Sequence, residues 1–427
     1  MKRDTKTNLK AISRRDLLQR SAALSALAGA QLAWPAWMPR LSFANQRRAP
    51  QGDVLVCIFL RGGADGLNIV VPHGEQAYHA ARPQLAIARP DDSSKEANQR
   101  ALDLDGFFGL HPSMEALIPI FKGGQMTAVQ ATGSPDPTRS HFDAMSYMER
   151  GTPGSYTVTT GWLGRHLASL EPDNASLLRA IGWGSSLQQS LRGSISATAI
   201  KSIVDYHLQG REDAAAPMLA TLNALYGADP ATLKIVAEQT QAVLDLVSKI
   251  NVAAYKPASG VDYNDQSDFD LALMQTAALI KADVGLEISA IDVGGWDTHQ
   301  NEANDLPQLL TTLSTGLAAF HADMGDLMSR LTVVVMSEFG RRVEENASGG
   351  TDHGHGNMML LMGGNVIPKP VYADWPGLAP DQLVDGDLKI TVDYRDVLSE
   401  ILTKRLNNPQ PELVFPDFQP TMHGIVR

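Results

Sequence analysis

Short runs of apolar residues recur along the chain, and most are followed at once by a polar or glycine-rich cluster. They are brief and rich in β-branched residues, which predicts strands buried on both faces, as in parallel sheets. The predicted strands are 53–60, 126–130, 286–293, 332–336 and 358–362, with shorter candidates at 177–181 and 388–392. Segments with helical spacing lie between them, at 142–150, 269–282, 306–330 and 393–406. This alternation predicts an α/β fold.

Carboxylate and imidazole side chains lie where the predicted strands end. Because ligands bind at the carboxyl ends of strands in open α/β sheets, these side chains are candidates for one site. The candidates are Asp65, Asp297, His299, Glu338, Asp352, His353 and His355. Mixed carboxylate and imidazole ligands suit Zn²⁺ or Mn²⁺ better than Ca²⁺ or Mg²⁺. The pattern therefore predicts a site for one or two divalent metal ions.

Ser140 lies just ahead of the predicted helix 142–150, and two interpretations of it stand. It is well placed to cap the helix N-terminus through its side-chain oxygen. The second interpretation is a nucleophile at the positive end of a helix, where an anionic group is stabilised.

The first 44 residues have the composition of an export signal. Ser13-Arg14-Arg15-Asp16-Leu17-Leu18 resembles the twin-arginine signal, and a mildly apolar segment at 21–37 follows. That segment is too short and too weakly apolar to span a membrane stably. Ser42-Phe43-Ala44 supplies the small residues of a cleavage site. We expect a periplasmic protein exported by the twin-arginine translocation machinery; the alternative is a cytoplasmic amphipathic tail.

The chain is acidic, with a net charge of −11. Residues 1–44 contain eight basic and two acidic residues, so the mature chain keeps 28 basic and 45 acidic residues, a net −17. This charge disfavours nucleic acid as a partner. An anionic small-molecule or polymer ester would need a local cation, and Arg341 or Arg342 could clamp one of its oxygens. Cys57, the only cysteine, lies in an apolar run and is expected to be a buried hydrophobe.

Residues 45–427 are predicted to form one domain. Within it, residues 151–285 carry fewer polar clusters and show helical spacing at 214–226 and 230–250. We therefore expect a helical insertion around 151–285, which either lies at the periphery of the domain or forms a cap over the site.

Several stretches, in one order, resemble an exported family of unknown function, numbered 1501, within the alkaline-phosphatase-like superfamily. The matching stretches are FLRGGADGLNIVVP at 59–72, RSHFDAMSYMERG at 139–151, GGWDTHQ at 294–300, SEFGRR at 337–342, GTDHGHGN at 350–357 and VDYRDVL at 392–398. The resemblance covers the whole mature chain. It implies a three-layer α/β/α sandwich around a mostly parallel sheet, with metal ligands and one nucleophile at strand ends.

The resemblance also implies a role for each matching position. Ser140 matches the nucleophile, and the metal ligands match Asp65, Asp297, His299, Glu338 and one of His353 and His355. Phe339 stands where the superfamily has a histidine, and phenylalanine cannot bind metal. Either a single metal site remains or the site has been rebuilt, for example with Asp352.

Together these observations predict an exported, metal-dependent hydrolase of phosphate or sulfate esters, with a serine nucleophile and Arg341 as the oxygen clamp. The alternative is a member that catalyses nothing and acts as a periplasmic binding or partner protein. Phe339 favours this alternative, whereas His299, His353 and His355 favour the enzyme.

Overall fold

A central sheet of nine strands organises the domain. The computed structural model of the protein describes residues 53–170, 176, 178–193, 197–203 and 255–427. The sheet contains β1 Val54–Leu60, β5 Met126–Gly133, β6 Ala180–Trp183, β7 Thr198–Ile200, β8 Ile288–Val293, β9 Leu331–Ser337, β10 Asn357–Met362, β11 Val371–Tyr372 and β12 Val392–Asp393. A small antiparallel sheet contains β2 Val70–Val71, β3 Leu102–Asp103 and β4 Gly109–Leu110.

The strand order is β11-β5-β10-β9-β1-β8-β6-β7, with β12 also paired to β5. All neighbours in the sheet run parallel except β10, which is antiparallel to both β5 and β9. The reversal of β10 has a consequence for the site. The residues that precede β10 lie at the same edge of the sheet as the residues that follow the parallel strands.

The described helices lie on both faces of this sheet. The α-helices are α1 Gly66–Ile69, α2 Gln76–Ala81, α3 Ile118–Lys122, α4 His141–Arg150, α5 Trp162–Ser169, α6 Asp268–Lys281, α7 Glu302–Met324, α8 Tyr394–Lys404 and α9 Pro411–Val414. Short 3₁₀ helices occupy Ala97–Gln99, Pro112–Leu117, Gln189–Leu191, Gly325–Arg330 and Pro380–Gln382. None of the described helices is long and apolar enough to cross a bilayer.

The alternating side chains of β1 enter two separate hydrophobic cores. Val56 and Ile58 pack on one face with α3, α6 and α7, where Phe320 is fully buried. Cys57 packs on the opposite face with α4, α5, α8 and α9, where Trp162 is fully buried. Each fully buried side chain the size of Phe320 contributes about 1.5–3 kcal/mol through the hydrophobic effect. The predicted three-layer α/β/α fold is confirmed, and Cys57 is buried as expected.

Two expectations about the elements need correction. The range 151–285, predicted as a helical insertion, contributes strands β6 and β7 to the central sheet in its described parts. The strand candidate at 177–181 overlaps the first two residues of β6, whereas β7 has only three residues and is too short to be separated from helix by pattern alone. The candidate strand 388–392 is also wrong for most of its length, because only Val392 belongs to β12. The segments 1–44, 214–226 and 230–250 lie outside the described residues, so the export signal and these helices stay predictions.

Candidate metal centre

A glycine turn after β1 forms the base of the candidate site. Gly62 and Gly63 both have positive φ angles, 126° and 63°, which favour glycine. A Cβ atom on Gly62 would lie 2.6 Å from the Asp297 amide nitrogen, and one on Gly63 would lie 2.5 Å from the Phe339 ring. The turn therefore lets the loops after β1, β8 and β9 pack directly against one another.

Four side chains from three loops converge above this turn, and we call them the histidine cluster: His141, Asp297, His299 and His353. One ligand atom from each of His141, Asp297 and His353 lies within 4.8 Å of the other two. The Oδ1 atom of Asp297 lies 3.4 Å from His141 Nε2, 3.1 Å from His299 Nε2 and 3.2 Å from His353 Nε2. The predicted pair of histidine-containing loops therefore meets at one point, joined by a histidine from the start of α4.

The Nδ1 atom of each ring in the histidine cluster is held by an acceptor. His353 donates to the carbonyl oxygen of Arg139 at 2.9 Å, and because a carbonyl only accepts, the proton lies on Nδ1. His299 donates to Asp352 Oδ1 at 2.9 Å, and His141 donates to Glu338 Oε1 at 2.7 Å. This arrangement is typical of metal-binding histidines, whose second nitrogen is fixed by an outer partner.

The three Nε2 atoms, in turn, point their lone pairs into the cluster. His299 Nε2 and His353 Nε2 lie 2.8 Å apart, a contact that two lone pairs cannot make without a proton or a cation between them. His141 Nε2 is buried and has no hydrogen-bond partner among the described residues. Buried polar atoms are rarely left unpaired, so this nitrogen indicates a missing ligand. Imidazole nitrogens with one carboxylate fit a transition-metal dication.

Electrostatics keep Asp297 ionised. Partial burial opposes the charge, but the hydrogen bond and the positive charge of Arg341 outweigh it and lower the pKa of Asp297 to about 2. Burial lowers the pKa of His353, which favours the neutral ring that can bind a metal. The hydrogen bond to Glu338 raises the pKa of His141 in the absence of any ion. A cation and the proton on His141 would therefore compete.

His141 is the member of the cluster that our sequence analysis missed. It is the first residue of α4, directly after Ser140, and the pattern drew attention to the serine. A signal was present, because His141 follows a strand through a short loop, as the other candidate ligands do. The structure assigns Ser140 to capping: its Oγ atom accepts from the Asp143 amide at 3.4 Å.

Two predicted ligands act instead as supports of the cluster or lie outside it. Glu338 is buried and accepts hydrogen bonds from His141 and from the Gly62 amide, the latter at 2.9 Å, so it orients a ligand rather than joining the cluster. His355 donates from Nε2 to the carbonyl oxygen of Ser134 at 2.9 Å and does not belong to the cluster. Of the two histidines, His353 therefore belongs to the cluster and His355 does not.

Asp65 and Arg341 also differ from their predicted roles. Asp65 is fully buried and forms a two-pronged ion pair with Arg82, which leaves it no free oxygen for a metal. Arg341 is fully buried and donates to the carbonyl oxygens of Gly62, Trp296 and Thr351 and to Asp297, among others. It cannot clamp a substrate oxygen, because its donors are already used inside the protein.

Phe339 forms an apolar wall of the histidine cluster. Its ring is 2% exposed and lies 4.8 Å from the His141 ring and 5.0 Å from the His353 ring, measured between centroids. It occupies the place where the resemblance implies another metal-binding histidine. With Asp65 tied to Arg82, the described residues offer ligands for one cation rather than two.

Two partly exposed arginines and one exposed aromatic ring are close in sequence to residues of the site. Arg139 and Arg342 both lie beside the buried carboxylate of Asp387, and their side chains are 38% and 36% exposed. Phe142, the neighbour of His141 in α4, is 90% exposed. Both guanidinium groups therefore share one carboxylate.

The chain belongs to the family described as "Protein of unknown function (DUF1501)", whose profile matches residues 53–418. The family prediction is confirmed. No curated protein matches the chain in sequence at a significant level.

Solved structures give distant similarities. The C-terminal periplasmic domain of EcEptC from Escherichia coli is 9% identical, with a TM-score of 0.35 over 90% of this chain and 92% of that chain. PsFucS1 sulfatase from Pseudoalteromonas sp. is 10% identical, with a TM-score of 0.36 over 96% and 77%. A protein in the alkaline phosphatase superfamily from Vibrio parahaemolyticus is 10% identical, with a TM-score of 0.34 over 79% and 66%. Similarities this distant add nothing to the chemistry derived from the site.

Proposed function

We propose that this member of the family is an exported, metal-dependent hydrolase of phosphate or sulfate esters. One observation carries the proposal: three imidazole rings, each fixed at Nδ1, direct Nε2 towards the same ionised carboxylate oxygen of Asp297. A cation bound to the three Nε2 atoms would account for the short contact between His299 and His353 and for the unpaired nitrogen of His141.

The donor set favours a single Zn²⁺ or Mn²⁺ ion. His141, His353 and Asp297 would hold it, and His299 Nε2 lies close enough to two of these donors to act as a fourth. When bound, the cation would polarise an ester oxygen and offset the charge of an anionic substrate. Glu338, Asp352 and the Arg139 carbonyl orient the rings, while Arg341 holds Asp297 in its ionised form.

Arg139 and Arg342 take over the anion-binding role that Arg341 cannot fill. Both guanidinium groups are partly exposed, and a planar guanidinium binds two oxygens of a phosphate or sulfate group at once. On a mature chain of net charge −17, an anionic ester requires local cations of this kind.

Ser140 is our proposed nucleophile. Its side chain is partly exposed beside His141, and its only hydrogen bond in the structure, from the Asp143 amide, is a long one. Its Oγ atom would bond to phosphorus or sulfur as the ester alcohol departs with the bonding electron pair. The serine proton passes to solvent, and the departing alcohol oxygen takes a proton from solvent. Water then cleaves the seryl ester, which releases phosphate or sulfate and restores the hydroxyl.

The decisive experiment measures metal content and ester hydrolysis on the same preparations. After metal-replete purification, His299→Ala should lower both bound metal and hydrolysis of 4-nitrophenyl phosphate or sulfate. Ser140→Ala should abolish hydrolysis and leave the metal content nearly unchanged. His355→Ala is the matched control and should retain both. Equally negligible zinc and manganese in the wild type and in His299→Ala would end the proposal.

A non-catalytic function is the second candidate, and one observation favours it. Ser140 Oγ contacts no imidazole or carboxylate that could serve as its base among the described residues, and it caps α4 instead. In that case the protein is a periplasmic binding or partner protein that holds metal without turnover. Full metal occupancy together with identical background hydrolysis in the wild type and Ser140→Ala would establish this alternative.

Export is proposed from the sequence of residues 1–44 alone. The twin-arginine signal is recognised through two guanidinium groups rather than through charge. Replacing both Arg14 and Arg15 by lysine should therefore remove the protein from the periplasmic fraction while total synthesis is unchanged. An unchanged periplasmic yield in that double variant would argue for another route.

A further inference from the structure

A second concave site lies beside the start of α7 and contains none of the histidine cluster. It is a cleft of about 460 Å³, within the size range of small-molecule sites. Its walls come from the segments 84–88, 95–99 and 111–113 and from the first two turns of α7. The proposed function makes no use of this cleft.

His111 on the wall of the cleft has a hydrogen-bond donor without a partner. The residue is 5% exposed, and its Nδ1 atom accepts from the Ser113 amide at 3.1 Å. Burial lowers the pKa of His111 to about 4, so the ring is neutral at pH 7 and carries its single proton on Nε2. This N–H group has no acceptor among the described residues. A donor on the wall of a cleft that has no protein acceptor is available to a ligand oxygen.

The rest of the buried wall is polar and carries no net charge. Glu302 is fully buried and accepts from Thr351 Oγ1 at 2.7 Å. Burial and the nearby Asp65 carboxylate raise the pKa of Glu302 to about 8, so it is mostly neutral at pH 7. Asn68, its neighbour in the wall, donates to Leu85 O and accepts from the Tyr78 hydroxyl. No ionised group on this wall would attract a strongly charged ligand.

The outer part of the cleft combines amide side chains with aliphatic surface. Gln84, Asn98 and Gln99 are exposed at its edge, and each amide can both donate and accept hydrogen bonds. Leu306 and Pro307 of α7 supply apolar wall. Lys95 is the one charged side chain at the edge, and it is exposed to solvent.

We propose that this cleft binds an uncharged, polyhydroxylated ligand, namely a sugar unit, with one of its oxygens accepting from His111 Nε2. Amides that both donate and accept match the hydroxyl groups of a sugar, and the aliphatic wall matches its C–H face. The acidic surface of the chain and the neutral wall both disfavour a small anion here. This site is independent of the metal centre and of whether the protein hydrolyses esters.

The test uses the purified protein and ligand-observed NMR with a panel of neutral mono- and disaccharides. Saturation transfer to at least one sugar is expected for the wild type. Ala303→Trp places an indole in the cleft from an exposed helix position and should abolish the signal. Gln308→Trp is the matched control, because position 308 lies on the same helix, is exposed and does not line the cleft.

Two substitutions of His111 distinguish the contribution of its Nε2 hydrogen bond from that of the shape of the cleft. His111→Phe removes the Nε2 donor and should weaken binding about tenfold, the usual effect of losing one hydrogen bond to a ligand. His111→Gln keeps a donor and should recover part of that loss. His299→Ala in the metal centre should bind the sugar as the wild type does, which separates a failure of this proposal from a failure of the proposed hydrolase.

The proposal is overturned if no sugar of the panel binds the wild type, or if Ala303→Trp and Gln308→Trp behave alike. Tighter binding of a small anion such as citrate than of every sugar would also overturn it. Should His111→Phe fail to fold, the Ala303→Trp and Gln308→Trp pair decides the question without it.

Discussion

Two groups of ionisable side chains lie at the carboxyl edge of the sheet, and they differ in how their partners are arranged. In the histidine cluster, the Nε2 atoms of His299 and His353 face one another, and the buried Nε2 of His141 has no hydrogen-bond partner in the described part of the chain. In the other group, which we call the Asp65 cluster, Asp65, Arg82 and Glu302 satisfy one another. Arg82 also donates to the carbonyl oxygens of Val343 and Arg342.

The difference distinguishes a buried structural ion pair from a candidate functional site. A carboxylate that is paired with a buried arginine has its charge balanced inside the protein, and the loss of either partner is costly. Imidazoles that repel one another cost stability until a ligand arrives, which is typical of a functional site. Both clusters contain the residue types expected of a metal site, so composition alone could not distinguish them. The arrangement of donors and acceptors does.

The largest expected effect is the loss of the charge partner in the Asp65 cluster. Burial opposes ionisation of Asp65, but Arg82 outweighs it and keeps the pKa of Asp65 below its usual value. Arg82→Met leaves this carboxylate buried and unpaired, which should cost about 3–5 kcal/mol of unfolding free energy in urea titrations at pH 7.

The double variant Asp65→Leu with Arg82→Met removes both charges and is the control. It should be clearly more stable than Arg82→Met alone, because no unpaired charge remains. Bound metal per folded molecule should stay at the wild-type value in both variants. A loss of metal in the double variant would show that Asp65 is a ligand after all, and the contrast between the two clusters would fail.

The next effect concerns the histidine cluster and compares two histidines that are two residues apart. A metal that binds only the folded state stabilises it by about 2.7 kcal/mol when present at 100 times its Kd. Zinc should therefore raise the unfolding free energy of the wild type and of His355→Ala by similar amounts. In His353→Ala the increment should vanish, because that ring faces Asp297 whereas His355 faces the Ser134 carbonyl. Equal increments in the two variants would contradict the assignment.

The sequence predicted the edge of the sheet where the site lies, but it did not predict which side chains meet there. Strands β1, β5, β8, β9 and β10 were predicted because apolar runs and β-branched residues determine them locally. The ligand-bearing loops after β8 and before β10 followed from the position of histidines and carboxylates at strand ends.

Contacts between residues far apart in the sequence could not be predicted from the pattern of apolar and polar positions. Asp65 looked like a ligand because nothing near it in sequence marks Arg82, 17 residues on, as its partner. His141 and Glu338 are 197 residues apart, so their contact depends on the folded sheet. His353 and His355 project from the same loop with one glycine between them, and spacing could not choose between them. All of these contacts depend on the tertiary structure, and local sequence propensity carries no information about them.

A smaller effect is expected from a residue that orients the histidine cluster without joining it. Glu338 accepts from His141 Nδ1, and its loss should lower the affinity for metal about 10–100-fold, as is usual for outer partners of metal-binding histidines. Glu338→Gln should show this drop in competition titrations against a chelating dye. Glu345→Gln is the control, since Glu345 accepts from the Gln84 and Leu85 amides, apart from the cluster. If both variants bind metal equally, Glu338 does not support His141.

The smallest effect is a pH dependence within the Asp65 cluster. Burial and the charge of Asp65 raise the pKa of Glu302 to about 8, above its value in the unfolded chain. A raised pKa means that the folded state binds the proton of Glu302 more tightly than the unfolded state does. The resulting contribution to the free energy of unfolding is fully present below the pKa of the unfolded chain. It is lost as the pH rises through about 8. Glu302→Gln keeps a neutral side chain of the same shape and cannot ionise. Urea titrations from pH 6 to pH 9 should therefore show wild-type stability falling relative to Glu302→Gln as the pH rises. If the free energies of unfolding of the two proteins change in parallel with pH, Glu302 is already ionised in the folded protein. The wall of the cleft would then carry a negative charge.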